Sequence, residues 1–72
     1  MSDMFESLSW NKKIEVLRTM KGWTQNEAAE ECLTNQKAYW SWETGKTKPR
    51  KISRQAICNA FGVREDEIFG GE

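Results

Sequence analysis

Chemistry could start at Cys32 and Cys58, but neither thiol has a histidine to activate it, because the 72 residues contain none. A catalytic cysteine needs a base to make its thiolate, and a structural zinc ion needs four nitrogen or sulfur ligands. Two cysteines meet neither requirement. Both stand among apolar residues at helical spacing, as reduced core thiols do. No serine, cysteine or acid pair falls in a hydrolase or Gly-rich phosphate motif. The sequence therefore implies no enzyme, no metal site and no cofactor.

Binding chemistry is better supplied. The stretch KAYWSWETGKTKP, residues 37 to 49, places three aromatics within four residues, beside a lysine-bearing loop. At 100° per residue Tyr39 and Trp42 share one side of a helix, and Trp40 lies well round the cylinder. Gln36, Lys37 and Ser41 fall outside the Tyr39/Trp42 stripe. Glutamine can pair with adenine and lysine can donate to guanine, each good bidentate contact contributing roughly 1 to 3 kcal/mol of discrimination. Trp40 neighbours Gln36 and Lys37 at i−4 and i−3, so it belongs to the outward side or its edge. Its ring could contact a thymine methyl or a sugar, meet another protein chain, or lie flat over its neighbours.

Charge points the same way. Net charge is zero, yet between residues 37 and 54 six basic residues, Lys37, Lys46, Lys48, Arg50, Lys51 and Arg54, face the single acid Glu43, a local net of +5. Acids gather at Glu27, Glu30 and Glu31, and again at Glu65, Asp66, Glu67 and Glu72. Such asymmetry suits a surface that meets an anion along one side.

Helices must position these groups. Trp10, Ile14 and Leu17 fall at i, i+4 and i+7, with Ser9 as N-cap and Gly22 as stop, which predicts a helix over 10–20. Thr24-Gln25-Asn26-Glu27 is a capping box that opens a short helix from Gln25 to about Cys32, with Trp23 set to pack on Ala28 as a hydrophobic staple. After the three-residue break Leu33-Thr34-Asn35, with Asn35 as N-cap, a third helix runs over about 36–44 and ends at Gly45. Pro49 disfavours helix in the loop 46–52 and makes Lys48 extended. A fourth helix fits 53–61, with Gly62 as its stop, and a fifth fits 64–69, where Ile68 and Phe69 close the base of the core. The expected architecture is all-α and five-helical: an N-terminal arm over 1–8, then one domain over 9–70. Two short helices with a three-residue turn, over about 25–44, form a helix-turn-helix, in which the second helix lies in the DNA major groove and the first crosses the backbone. Ala29 sits where they cross and must be small.

On LRTMKGWTQNEAAE, TNQKAYWSWETGKTKP and AICNAFGVREDEIF the chain resembles the phage repressor and Cro family of XRE-type DNA-binding domains, over about 14–69. The resemblance implies a compact lambda-repressor-like domain, with helices two and three as the reading unit. It implies base contacts from Gln36, Lys37 and Ser41, to which the outward Trp40 is added. It also implies backbone contacts from Gln25, Asn35, Lys46, Lys48 and Arg50, and a structural ion pair between Arg18 and Glu43. Backbone contacts supply affinity by counterion release and carry no sequence information.

Three departures from the family pattern matter. Leu33 stands where the turn usually has glycine, and a leucine at positive φ is penalised by roughly 1 to 2 kcal/mol; the turn is expected to take another shape and rotate helix three. Ala28 replaces a larger aliphatic while Tyr39 replaces a smaller branched residue, an exchange of volume across the core. Trp40 is the third. The expected function is that of a bacterial or phage transcriptional regulator, repressor-like, occupying a double-stranded operator as a homodimer formed at least on DNA. Its dimer contact is expected near helix five and its half-sites about 34 Å apart. The rival is an antitoxin-like or adaptor module that binds a protein through Trp40. With no apolar run near the roughly 20 residues of a membrane span, a cytoplasmic protein is expected.

Overall fold

The structure, a computed structural model, describes residues 5–70; Met1 to Met4 of the expected arm lie outside them. Within these residues the chain is all-helical. Ahead of the domain Phe5 and Glu6 are helical, and the Leu8 amide donates to the Phe5 carbonyl at 3.1 Å. Five helices follow: α1 (Trp10–Lys21), α2 (Gln25–Glu31), α3 (Gln36–Glu43), α4 (Lys51–Phe61) and α5 (Glu65–Phe69). α3 packs on α2 and α1, α2 and α1 on α4, and α5 closes against α1 and α4.

Local chemistry explains most of the boundaries. The Thr24 hydroxyl accepts from the Glu27 amide at 3.1 Å while the Glu27 carboxylate accepts from the Thr24 amide at 2.8 Å, so two orphan donors are satisfied at the start of α2. Asn35 Oδ1 accepts from the Ala38 amide at 2.8 Å and starts α3. Ser9 is the N-cap residue of α1 but not through its hydroxyl, which donates to Asn11 Oδ1 at 2.8 Å. α4 begins at Lys51, two residues before the expected start. Buried Pro49 and the N-cap Arg50 bring the chain straight into it, and Arg54 Nη1 donates to the Pro49 carbonyl at 3.0 Å.

The core joins all five helices: Ile14 from α1, Ala28 and Ala29 from α2 with the adjoining Cys32, Tyr39 and Trp42 from α3, Ile57, Cys58 and Phe61 from α4, Ile68 and Phe69 from α5. Fully burying one large apolar side chain is worth about 1.5 to 3 kcal/mol, so a domain this small depends on nearly every member. Ala28 and Tyr39 are both fully buried in it. Trp23 stacks on Phe61, ring centroids 5.7 Å apart, rather than serving only as a staple on Ala28; Trp10 likewise meets Phe69 at 5.9 Å.

The α2–α3 turn overturns one expectation. Leu33 adopts φ +62°, and the turn keeps its shape. The Leu33 amide donates to the Glu30 carbonyl at 3.1 Å and the Thr34 amide to the Ala29 carbonyl at 2.9 Å, a complete Schellman motif. The same pair of bonds ends α1 at Gly22 and α3 at Gly45. The chain accepts the strain of a left-handed leucine because the two hydrogen bonds satisfy carbonyls that α2 would otherwise leave orphaned.

Candidate nucleic-acid interface

Both ends of α3 are anchored, and the C-terminal anchor is Glu43. This carboxylate is 7% exposed and receives three donors: Arg18 Nε at 2.6 Å, Arg18 Nη2 at 3.4 Å and Gln25 Nε2 at 3.1 Å. Arg18 also donates from Nη1 to the Trp23 carbonyl at 2.9 Å. The hydrogen bond to Glu43 raises the Arg18 pKa further above its usual value, so the guanidinium keeps its charge. Asn11 Nδ2 donates to the Glu43 backbone carbonyl at 3.1 Å. One residue thus ties α3 to α1 and α2. The Tyr39 hydroxyl is buried near Glu43 without hydrogen-bonding geometry to any partner among the described residues, and burial, reinforced by the carboxylate, pushes its pKa upward.

With Tyr39 and Trp42 turned into the core, Gln36, Lys37 and Trp40 are exposed along the opposite side of α3. Ser41 is half-buried at the edge, its hydroxyl donating to the Ala38 carbonyl at 2.6 Å, so its lone pairs remain to accept. Trp40, 42% exposed, is the outward member of the aromatic trio. Lys46 Nζ lies over its ring, 5.3 Å from the centroid. Lys46, Lys48 and Arg50 are exposed in the following loop. Gln25 and Asn35 are engaged inside the protein, the first with Glu43 and the second as the α3 cap. That leaves them the remaining amide protons and lone pairs of their side chains for an outside group.

A family model described as "Helix-turn-helix" matches residues 14–68. The chain belongs to the XRE-type helix-turn-helix family. Over 65 residues, 90% of this chain, this helix-turn-helix protein is 37% identical to the "HTH-type transcriptional activator BcrR" of Enterococcus faecalis. Those residues make up 32% of that protein, so the chain spans about a third of this relative's length. No solved structure matches the chain. Among the described residues no helix is long and apolar enough to cross a membrane.

Three supporting residues escaped the sequence reading. Lys13 is buried, donates from Nζ to the Glu67 carbonyl at 3.2 Å and lies 5.5 Å from the Phe5 ring centroid, tying the N-terminal turn and α5 to α1. Its place at i+3 from Trp10 on the apolar stripe was the available signal. Arg54, counted with the basic surface, is used internally: Nε donates to Glu65 Oε2 at 2.8 Å, and the guanidinium lies 5.8 Å from the Phe69 ring. The basic surface therefore consists of Lys37, Lys46, Lys48, Arg50 and Lys51. Asn11, the third, carried no signal, since its partner is a backbone carbonyl 32 residues away.

Proposed function

We propose that this chain is a sequence-specific double-stranded DNA-binding module of a transcriptional regulator, which occupies an operator with α3 in the major groove. The observation that carries the reading is the division of α3, whose Tyr39 and Trp42 are buried while Gln36, Lys37 and Trp40 stand outward beside exposed Lys46, Lys48 and Arg50. Gln36 and Lys37, with Ser41 and Trp40 at the edges, supply base contacts; Gln25, Asn35, Lys48 and Arg50 supply the phosphate side. Two copies on a near-palindromic site, about 34 Å between half-site centres, give one module enough interface for a specific complex. The relative's name, an activator, favours recruitment at the promoter over the repression suggested by the Cro resemblance. Sequence can hold activators and repressors on one DNA-binding domain, because the sign of regulation follows from where the operator lies.

Selection from a random duplex pool at physiological salt tests this directly: a two-fold symmetric motif is expected. Lys37→Ala should change the base preferred at one position. Arg50→Ala should weaken binding to every sequence alike and lower the salt slope by about 0.9. Recovery of no motif would refute the reading, and would leave Trp40 as the contact for a protein partner.

A further inference from the structure

We propose that Lys46 is a positioning residue for Trp40, and that the two together read the C5 methyl of a thymine at the edge of the recognition face, an inference that rests on the DNA-reading function above. Trp40 takes no part in the core stripe of α3, yet more than half of it is covered. Lys46 supplies part of that cover, its ammonium 5.3 Å from the ring centroid, within the roughly 6 Å at which a cation is held by an indole face.

The placement of the lysine is built into the backbone. The Gly45 amide donates to the Trp42 carbonyl at 3.1 Å and the Lys46 amide to the Ser41 carbonyl at 3.0 Å, so the chain reverses on the last turn of α3 itself. Gly45 has φ +80°, and the Asn11 side chain would lie 3.3 Å from any Cβ there. The turn is thus pinned against α1, and Lys46 returns over Trp40 without long-range adjustment. A cation on one side of the ring fixes the indole's rotamer while leaving its remaining surface open.

That open surface is apolar in a face otherwise made of hydrogen-bonding groups. Of the features that base edges show in the major groove, the thymine methyl is the apolar one. The negative field of the duplex tolerates the adjacent ammonium without a direct phosphate contact. In a protein interface the same ammonium would need an acidic partner to offset its desolvation.

The test uses the operator recovered by selection, with each thymine replaced in turn by deoxyuridine, which pairs identically and lacks only the methyl. At one thymine per half-site the wild-type chain should lose about fourfold in affinity, the factor that burial of one methyl group carries. Trp40→Ala should bind both duplexes equally. Lys46→Ala should lose the discrimination too, and Lys46→Arg should keep it, because guanidinium also stacks on indole. The salt slope separates positioning from simple phosphate binding: Lys46→Ala should leave it unchanged, whereas a lost phosphate contact lowers it by about 0.9. Neither side chain belongs to the buried core, so the variants should keep the wild-type helix content at the binding temperature, which circular dichroism can check. A selected operator on which uracil has no effect anywhere would overturn this inference alone. Retained discrimination in Lys46→Ala with a lower slope would also overturn it, making Lys46 a phosphate contact. Failure to select any operator would overturn the proposed function as well.

Discussion

Replacing Leu33 by glycine should stabilise this protein. The residue holds φ +62° and its side chain is 86% exposed, so substitution relieves backbone strain and gives up almost no packing. A left-handed conformation costs an L-residue with a Cβ roughly 1 to 2 kcal/mol. Against this, glycine adds freedom to the unfolded chain, worth about 0.4 to 1 kcal/mol in the other direction. The expected net gain is therefore about 0.5 to 1 kcal/mol, a rise in Tm of roughly 3 to 6 °C for a domain of this size. Gly62→Ala supplies the mirror experiment. Gly62 follows α4 at φ +70° with nothing within 4 Å of an added Cβ, so conformation alone changes, and Tm should fall by a similar amount. Thermal melts by circular dichroism, with urea titration to check that the m-value is constant, measure both. A lower Tm for Leu33→Gly would refute the reasoning, since it would mean that the leucine side chain contributes more than its backbone strain takes away.

Other consequences can be measured on the same protein. Glu43→Ala should cost about 3 kcal/mol in urea unfolding, because it leaves Arg18 with a largely buried charge and no counter-ion, and frees Gln25 as well; a loss under about 1 kcal/mol would show that the carboxylate is not the anchor of α3. Stability should also fall above pH 9. Burial pushes the Cys32 thiol up to about 12 and the Cys58 thiol to about 11, from 9.0 for the exposed group. The folded chain then retains protons that the unfolded chain releases, so stability is full below 9 and declines as pH rises toward 11, each thiol adding a slope of about 1.4 kcal/mol per pH unit. The Cys32→Ala/Cys58→Ala protein should lose that slope between pH 9 and about 10, above which Tyr39, also raised by burial, adds its own; an unchanged slope below 10 would point to other groups.

What could be read from the sequence was what neighbouring residues decide among themselves. Thr24 and Glu27 form a capping box three residues apart, Asn35 caps the helix that follows it, and the 100° step separates Trp40 from Tyr39 and Trp42; each depends on fewer than four intervening positions. Features decided by tertiary contact were not readable. Trp23 meets Phe61, 38 positions away, a ring contact that local spacing does not announce. Arg54 looked like part of a basic surface until α5 brought Glu65 beside it. Leu33 shows the opposite failure: the local penalty was read correctly, but two backbone hydrogen bonds outweighed it. For the candidate interface, helical spacing revealed the outward side of α3, whereas the seating of Lys46 on Trp40 depends on a turn geometry that residue types alone do not specify.

The way α3 is held bears on how a reading helix can be altered without unfolding its domain. Its first turn is fixed by the Asn35 cap and the Leu33 turn, and its last by the Glu43 contacts to Arg18, Gln25 and Asn11. Stability and outward contacts therefore depend on different residues of one eight-residue helix. Rotation of α3 by even one residue would move the outward set through 100° and bury it, so the anchoring fixes which side chains can reach a groove. On the proposed function, exchanges at Gln36, Lys37 or Trp40 should change what is read without touching the Glu43 anchor, and changes at Glu43 or Arg18 should weaken reading by loosening the frame. A neutral chain can present such a surface: on α3 itself the one acid, Glu43, is enclosed by its partners, and Glu27, Glu30 and Glu31 belong to α2. The field at the groove is set by the charges nearest to it, since beyond a Debye length of about 8 to 10 Å exposed charges are largely screened.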